Sequence, residues 1–148
     1  MILVGDCPMP RLVGHPELWL MPDSSGTTAM PNLLLAATGW TLDEFVSVFA
    51  TRTYLWPARG QRWVSSGKAT AKRLMRAGVP IVAVGEDVGL CFGVKEPWRW
   101  KNGVAMIPVP VARSKAWDLS RAREFFDGVR ATVSANTNGA TVTWGSHQ

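Results

Sequence analysis

The sequence predicts a three-layer α/β/α fold with a central, mainly parallel four-stranded sheet. Short apolar runs typical of buried parallel strands occur at residues 2–4, 79–85 and 104–107. Segments with helical spacing lie between these runs and end at glycines, and strands that alternate with helices in this way pair in parallel. The length of 148 residues and the apolar fraction of 47% fit one domain.

The elements begin with a strand at residues 2–4, which leads through Gly5 into a loop with several prolines. A polar cluster at residues 23–28 precedes a helix predicted over about residues 28–37, with Gly39 as its stop.

A capping box opens the next predicted helix, since Thr41 is followed three residues later by Glu44. This helix is expected to end near Ala50. Residues 51–57 then form a short strand or an extended loop, which Pro57 ends.

The second half of the chain alternates helices and strands in the same manner. The predicted elements are a loop at 58–67, a basic helix at 68–77, a strand at 79–85, a short helix at 86–92, a turn or hairpin at 98–103, a strand from 104, and a helix at 119–133. We therefore expect one domain over residues 1–133, followed by a tail at 134–148 that is flexible or adds an edge strand.

Composition limits the function classes. No apolar run approaches the ~20 residues of a membrane span, and the first residues lack the basic start of a signal peptide, so we expect a cytoplasmic protein without a membrane partner. Two cysteines and two histidines are too few for a convincing metal site, and no glycine-rich cofactor fingerprint is present, so neither metal nor cofactor is expected.

The charge and the aromatic residues favour a nucleic acid as partner. The net charge is +5, the isoelectric point is near 9.8, and several of the eight tryptophans lie close to Arg or Lys in sequence. The alternative is that these tryptophans pack in the core, which is expected for about half of them because tryptophan is largely buried on average.

Ligands of open α/β sheets bind beyond the carboxyl ends of the strands, where this chain places several polar residues. Asp6 follows the first strand and either orients a water molecule or caps a turn. The cationic loop Arg113, Ser114 and Lys115 follows the last strand and either holds an anion or is a surface turn.

Three segments resemble the uracil-DNA glycosylase superfamily in their order and character. They are G-D-C-P at residues 5–8, V-A-V-G-E-D-V-G-L-C-F-G-V at 82–94, and I-P-V-P-V-A-R-S-K-A-W-D at 107–118. The last segment is the most specific of the three. The resemblance implies a metal-independent enzyme that acts on a base flipped out of DNA.

The resemblance also implies roles for individual residues. Asp6 takes the place of the water-positioning residue, and Tyr54 that of the base-reading Asn. Val109 stands where the family has a His that stabilises the departing base. The base pocket then consists of Cys7, Pro8 and Val109, and the residues that hold the DNA backbone are Ser25, Arg52, Arg113, Ser114 and Lys115.

Because Val109 offers no hydrogen-bond donor, ordinary uracil excision is not expected. The first hypothesis is a divergent member of the superfamily that binds a flipped, modified or unmodified pyrimidine nucleotide and performs unusual excision or base modification. Such a protein suits a bacteriophage with modified pyrimidines, which would place it in the host cytoplasm. The alternative is a non-catalytic DNA-binding or interaction protein with the same fold, and an unrelated small-molecule enzyme ranks third.

Overall fold

The computed structural model describes residues 1–22, 29–111 and 114–139, with residue 29 and residues 134–139 described as backbone alone. The strands are β1 Ile2–Gly5, β2 Thr51–Tyr54, β3 Ile81–Val84, β4 Trp100–Lys101 and β5 Val104–Ile107. The α-helices are α1 Ala29–Thr38, α2 Leu42–Val48, α3 Val64–Met75, α4 Glu86–Cys91 and α5 Leu119–Gly139. Single 3₁₀ turns occur at Pro10–Leu12, Pro16–Leu18 and Arg59–Gln61.

Within the described residues, the sheet has five strands in the order β2-β1-β3-β5-β4. β2, β1, β3 and β5 are parallel, and β4 pairs antiparallel with β5. The predicted α/β class with a mainly parallel sheet is confirmed, whereas the predicted count of four strands is wrong by one. The additional strand β4 arises from a tight hairpin, because Asn102 and Gly103 take φ values of 53° and 80° and reverse the chain within two residues.

Alternate residues of the strands point to opposite faces of the sheet, and each face has its own apolar core. On one face, Leu3, Val82 and Ile107 pack against α1, α2 and α5. On the other face, Val4 and Ala83 belong to a second core with residues of α3 and α4. Helices therefore cover both faces, which gives the three layers.

The capping box forms as predicted at the start of α2. Thr41 Oγ1 accepts a hydrogen bond from the Glu44 backbone N–H at 3.1 Å. The Glu44 carboxylate accepts two hydrogen bonds from Arg130 at 2.9 and 3.0 Å, which ties α2 to α5. Arg130 also lies over the Trp40 ring at 5.8 Å.

Two helix boundaries differ from the prediction by more than two residues. α3 begins at Val64 and not at residue 68, because Gly67 lies inside the helix, where a Cβ would come within 2.7 Å of the Trp56 ring. Glycine here permits close packing inside the helix and is not part of the preceding loop. α5 continues to Gly139, beyond the expected end at residue 133, while residues 140–148 of the predicted tail lie outside the described part of the chain.

Candidate functional site

The carboxyl ends of β1, β2, β3 and β5 lie side by side, and we call the loops that follow them the carboxyl edge. Backbone hydrogen bonds hold these loops together. The Leu55 N–H donates to the Gly5 carbonyl at 2.8 Å, and the Trp56 N–H donates to the Asp6 carbonyl at 3.0 Å. The Gly85 N–H donates to the Ile107 carbonyl at 2.8 Å. The parallel topology thus brings the sequence-predicted residues Asp6, Tyr54 and Val109 to one edge.

Arg62 holds Asp6 in a bidentate ion pair. Its Nε and Nη2 donate to the two carboxylate oxygens of Asp6 at 2.7 and 2.8 Å, and Nη2 also donates to Asp87 at 3.0 Å. The guanidinium lies 5.1 Å above the centre of the Trp56 ring, a cation–π arrangement. Asp6 first, and Asp87 second, raises the pKa of Arg62 above its ordinary value. One cation therefore links the loops that follow β1 and β2 to the first turn of α4, which follows β3.

Tyr54 ends β2 directly beside Gly5. A Cβ at Gly5 would lie 2.9 Å from the Tyr54 ring, so only glycine leaves space for it. Trp19 meets the Tyr54 ring edge to face at 5.3 Å. Burial raises the pKa of Tyr54, an effect that the Leu20 backbone opposes, so the phenol is neutral at pH 7. A neutral phenol is a hydrogen-bond donor.

Leu20 closes this part of the carboxyl edge. Its side chain is fully buried, and its φ of 53° lies in the left-handed region, which is unusual for a bulky residue. A Cβ at Gly5 would also approach its methyl group to 3.1 Å. The conformation of Leu20 thus places an apolar wall against the end of β1.

The predicted base pocket combines a thiol, a buried proline and an exposed valine. Cys7 is half-buried, and burial first, followed by Asp6, raises its pKa, so the thiol is protonated at pH 7. Pro8 is buried. Val109 is 40% exposed, and its methyl would lie 3.3 Å from a Cβ at Gly85, whose φ is 102°. Val109 thus lines the carboxyl edge without contributing a polar group.

The predicted DNA-backbone residues do not all meet at this edge. The turn before α5 contains Ser114, whose N–H donates to the Val111 carbonyl at 3.0 Å, and the exposed Lys115. Arg52 is in register with Leu3, which faces α1 and α2, and its Nη1 donates to the Phe49 carbonyl at 2.7 Å. Nη1 is therefore committed to a backbone contact, while the buried Nε has no hydrogen-bond partner among the described residues. Ser25 and Arg113 lie outside the described residues.

A cleft of about 470 Å³ beside the ion pair was not predicted as a site from the sequence. Next to it, the Trp63 side chain is 61% exposed at the start of α3. The loop after β2 contains Arg59, Arg62 and Trp63. This mixture of cations and an aromatic ring directly after a strand is the sequence feature by which the region could have been found. The cleft is lined by Trp56, Arg62, Val64, Lys68, Asp87, Leu90 and Cys91.

Within the described ranges, no three His, Cys, Asp or Glu side chains converge in a way that would bind a metal ion. The same part of the chain contains no helix with the length and apolar character of a membrane span.

Comparison with known protein families, with curated proteins and with solved structures finds no match to this chain.

Proposed function

We propose that the carboxyl edge binds DNA and receives a flipped pyrimidine nucleotide between Asp6, Tyr54 and Val109. The observation that carries this proposal is that the parallel sheet brings these three residues, which are far apart in sequence, to one edge. We further infer a divergent relative of the uracil-DNA glycosylases. The four parallel strands support this kinship, and the antiparallel strand β4 is a departure from it.

Charge and aromatic exposure around the carboxyl edge support a polyanionic ligand. Arg59, Lys68 and Lys115 are exposed, and Trp63 presents most of its ring to solvent. Cations hold phosphates, and an exposed indole gives a base a surface on which to stack. The opposing charges are Asp6 and Asp87, which are both paired with Arg62, and the exposed Glu86.

The chemistry at this edge differs from that of an ordinary glycosylase. Val109 cannot stabilise the negative charge on a departing base, and loss of such a donor costs about 100-fold to 1000-fold in rate. The neutral Tyr54 phenol supplies a donor at the same edge, with β1 and β3 lying between β2 and β5. The accompanying reaction is therefore slow excision, or modification of a base substituent with the glycosidic bond intact.

A non-catalytic DNA-binding protein is the second candidate, and the ion pair of Asp6 is the observation that favours it. Both carboxylate oxygens of Asp6 accept hydrogen bonds from Arg62, so the group that would position a water molecule is already occupied. Under this alternative, the pair serves to hold the loops of the carboxyl edge together.

Binding is tested by fluorescence anisotropy on a labelled duplex over a range of salt concentrations. The double variant Arg113→Ala with Lys115→Ala removes two cations from the loop after β5. It is expected to reduce the slope of log K against log salt by about 1.8. The matched control, Lys72→Ala with Arg73→Ala, removes two exposed cations from the far end of α3, where the chain returns to the amino end of β3. Equal slopes in the two double variants would refute a DNA site at the carboxyl edge.

The reaction is tested separately on oligonucleotides that contain uracil, hydroxymethyluracil or mismatched thymine. Excision produces abasic sites in a single-turnover assay, and Asp6→Asn abolishes them. Base modification instead changes the mass of a nucleoside when modified DNA and a donor are supplied. DNA binding without either product identifies the non-catalytic alternative.

A further inference from the structure

The segment Trp98–Lys101 lies apart from the carboxyl edge, although it has the same mixture of tryptophans and cations. β4 is at the lateral edge of the sheet, beyond β5. Trp100 pairs with Ala105 and Lys101 with Val104, near the amino end of β5. Trp100 and Lys101 therefore take no part in the site proposed above.

Two clefts meet at this segment. One has a volume of about 550 Å³ and includes Lys95 and Lys101, and the other has a volume of about 500 Å³ and includes Arg121. Arg99 and Trp100 line both clefts. The segment is thus a narrow rib with an open cleft on each side of the sheet edge.

Trp100 is fixed in place and yet open to solvent. Its ring stacks on Phe125 of α5 at 5.7 Å with an interplanar angle of 23°, while 46% of the residue remains exposed. Phe125 is itself packed edge to face on Phe126 at 5.2 Å. A Trp that rests on a buried aromatic ring loses little further freedom when a planar ligand stacks on its open surface.

The backbone before Trp100 is in an unusual conformation. Trp98 has a φ of 67°, which is rare for a large aromatic residue. Such strained conformations cluster at functional sites. The Trp98 N–H donates to the Met106 carbonyl at 2.9 Å, and its ring contacts Trp117 at 5.5 Å. The bend directs Trp98 towards the core and leaves Trp100 on the outside of the rib.

The charges around the rib favour a polyanion. The cations that line the two clefts are Lys95, Arg99, Lys101 and Arg121, against the acids Glu96 and Glu124. Glu96 is already paired with Arg99 at 2.9 Å. Exposed cations beside a half-exposed indole provide contacts for both the phosphates and the unpaired bases of a single strand.

We propose that this rib is a second nucleic-acid site, which binds single-stranded DNA with a base stacked on Trp100 and the backbone crossing from one cleft to the other. A duplex would not present an unpaired base to the ring. The choice of DNA over RNA rests on the function proposed above. Base stacking on Trp100 is inferred independently of that function.

The test is fluorescence anisotropy with a labelled oligothymidine of about 12 nucleotides, within the span that single-strand-binding surfaces cover. Trp100→Ala is expected to weaken binding by about 5-fold to 150-fold, and Trp100→Phe to retain most of the affinity. Circular dichroism and thermal melting establish that each variant is folded.

Gly128 allows a test that removes no aromatic ring. It lines one cleft from α5, and a Cβ at this position meets no atom within 4 Å. Gly128→Leu is expected to fill the cleft and weaken oligothymidine binding, whereas Gly128→Ala leaves binding close to that of the native protein. Both substitutions favour the helix, so a loss of affinity in the leucine variant is not a loss of folding.

A matched pair on α5 tests the charge contribution. Arg121 lines a cleft, whereas the exposed Arg123 lines neither of the two. Arg121→Ala is expected to reduce the salt slope by about 0.7, and Arg123→Ala to leave it unchanged.

Several results would overturn the proposal. The proposal fails if the native protein does not bind oligothymidine at low salt, or if Trp100→Ala binds it as tightly as the native protein does. It also fails if the protein binds oligouridine RNA but no oligothymidine. Competition by an abasic strand or by polyglutamate that equals competition by unlabelled oligothymidine would likewise contradict it. Failure of the carboxyl-edge site is distinguishable, because it appears in Arg113→Ala with Lys115→Ala on the duplex and leaves the effect of Trp100→Ala on the single strand intact.

Discussion

The ion pair between Asp6 and Arg62 should make a measurable contribution to stability. Arg62→Gln removes two hydrogen bonds to Asp6, of 2.7 and 2.8 Å, and the stacking on Trp56. Shielded hydrogen bonds to charged groups contribute about 1.5–3 kcal/mol, whereas exposed ion pairs contribute about 0–1 kcal/mol. The side chains of Arg62 and Asp6 are 34% and 39% exposed. We therefore expect a coupling free energy of about 1–2 kcal/mol, between these limits.

A double-mutant cycle with Asp6→Asn and Arg62→Gln, measured by urea unfolding, isolates this coupling. The control cycle pairs Arg62→Gln with Asp87→Asn. Its coupling should be smaller, since Asp87 is 67% exposed and shares a single hydrogen bond with Arg62. If the effects of Asp6→Asn and Arg62→Gln add to within about 0.3 kcal/mol, the pair does not organise the carboxyl edge.

Three further predictions concern stability and reactivity. Thr41→Ala removes an N-cap and should lower the free energy of unfolding by about 1 kcal/mol in urea titrations, whereas Thr41→Ser should retain it. Gly89→Ala should destabilise by about 1–3 kcal/mol, because its Cβ would meet Met106 at 2.6 Å, and an unchanged melting temperature would contradict this packing. After burial, Asp6 contributes to the raised pKa of Cys7, so Asp6→Asn should accelerate alkylation of Cys7 by iodoacetamide at pH 8. The rate is measured by peptide mass spectrometry, and an unchanged rate would refute this coupling.

Much of the fold follows from local sequence features. The apolar runs of β1, β3 and β5 predict buried parallel strands, and the capping box predicts α2. β4 was expected only as part of a turn or hairpin, because two residues are too few to show a strand pattern. The start of α3 was misplaced because Gly67 has the same appearance in sequence whether it belongs to a loop or packs inside a helix against Trp56.

The site was predictable only where a residue directly follows a strand. Asp6, Tyr54 and Val109 lie at strand ends, so parallel pairing alone brings them to one edge. Arg62 meets Asp6 across 56 positions of sequence, and no local pattern indicates such a contact. The face of a strand on which a residue lies depends on register, which places Arg52, a predicted DNA-backbone residue, on the same face as Leu3.

Photo-crosslinking tests the central claim most directly, because it identifies where a pyrimidine lies on the protein. A duplex that carries one 5-iodouracil is irradiated with the protein, and the linked peptide is identified by mass spectrometry. The proposed DNA site predicts crosslinks within residues 54–63 or 107–118, which contain Tyr54, Trp63 and Trp117. Crosslinks confined to the amino end of the sheet or to Trp98–Lys101 would contradict a flipped-base site at the carboxyl edge.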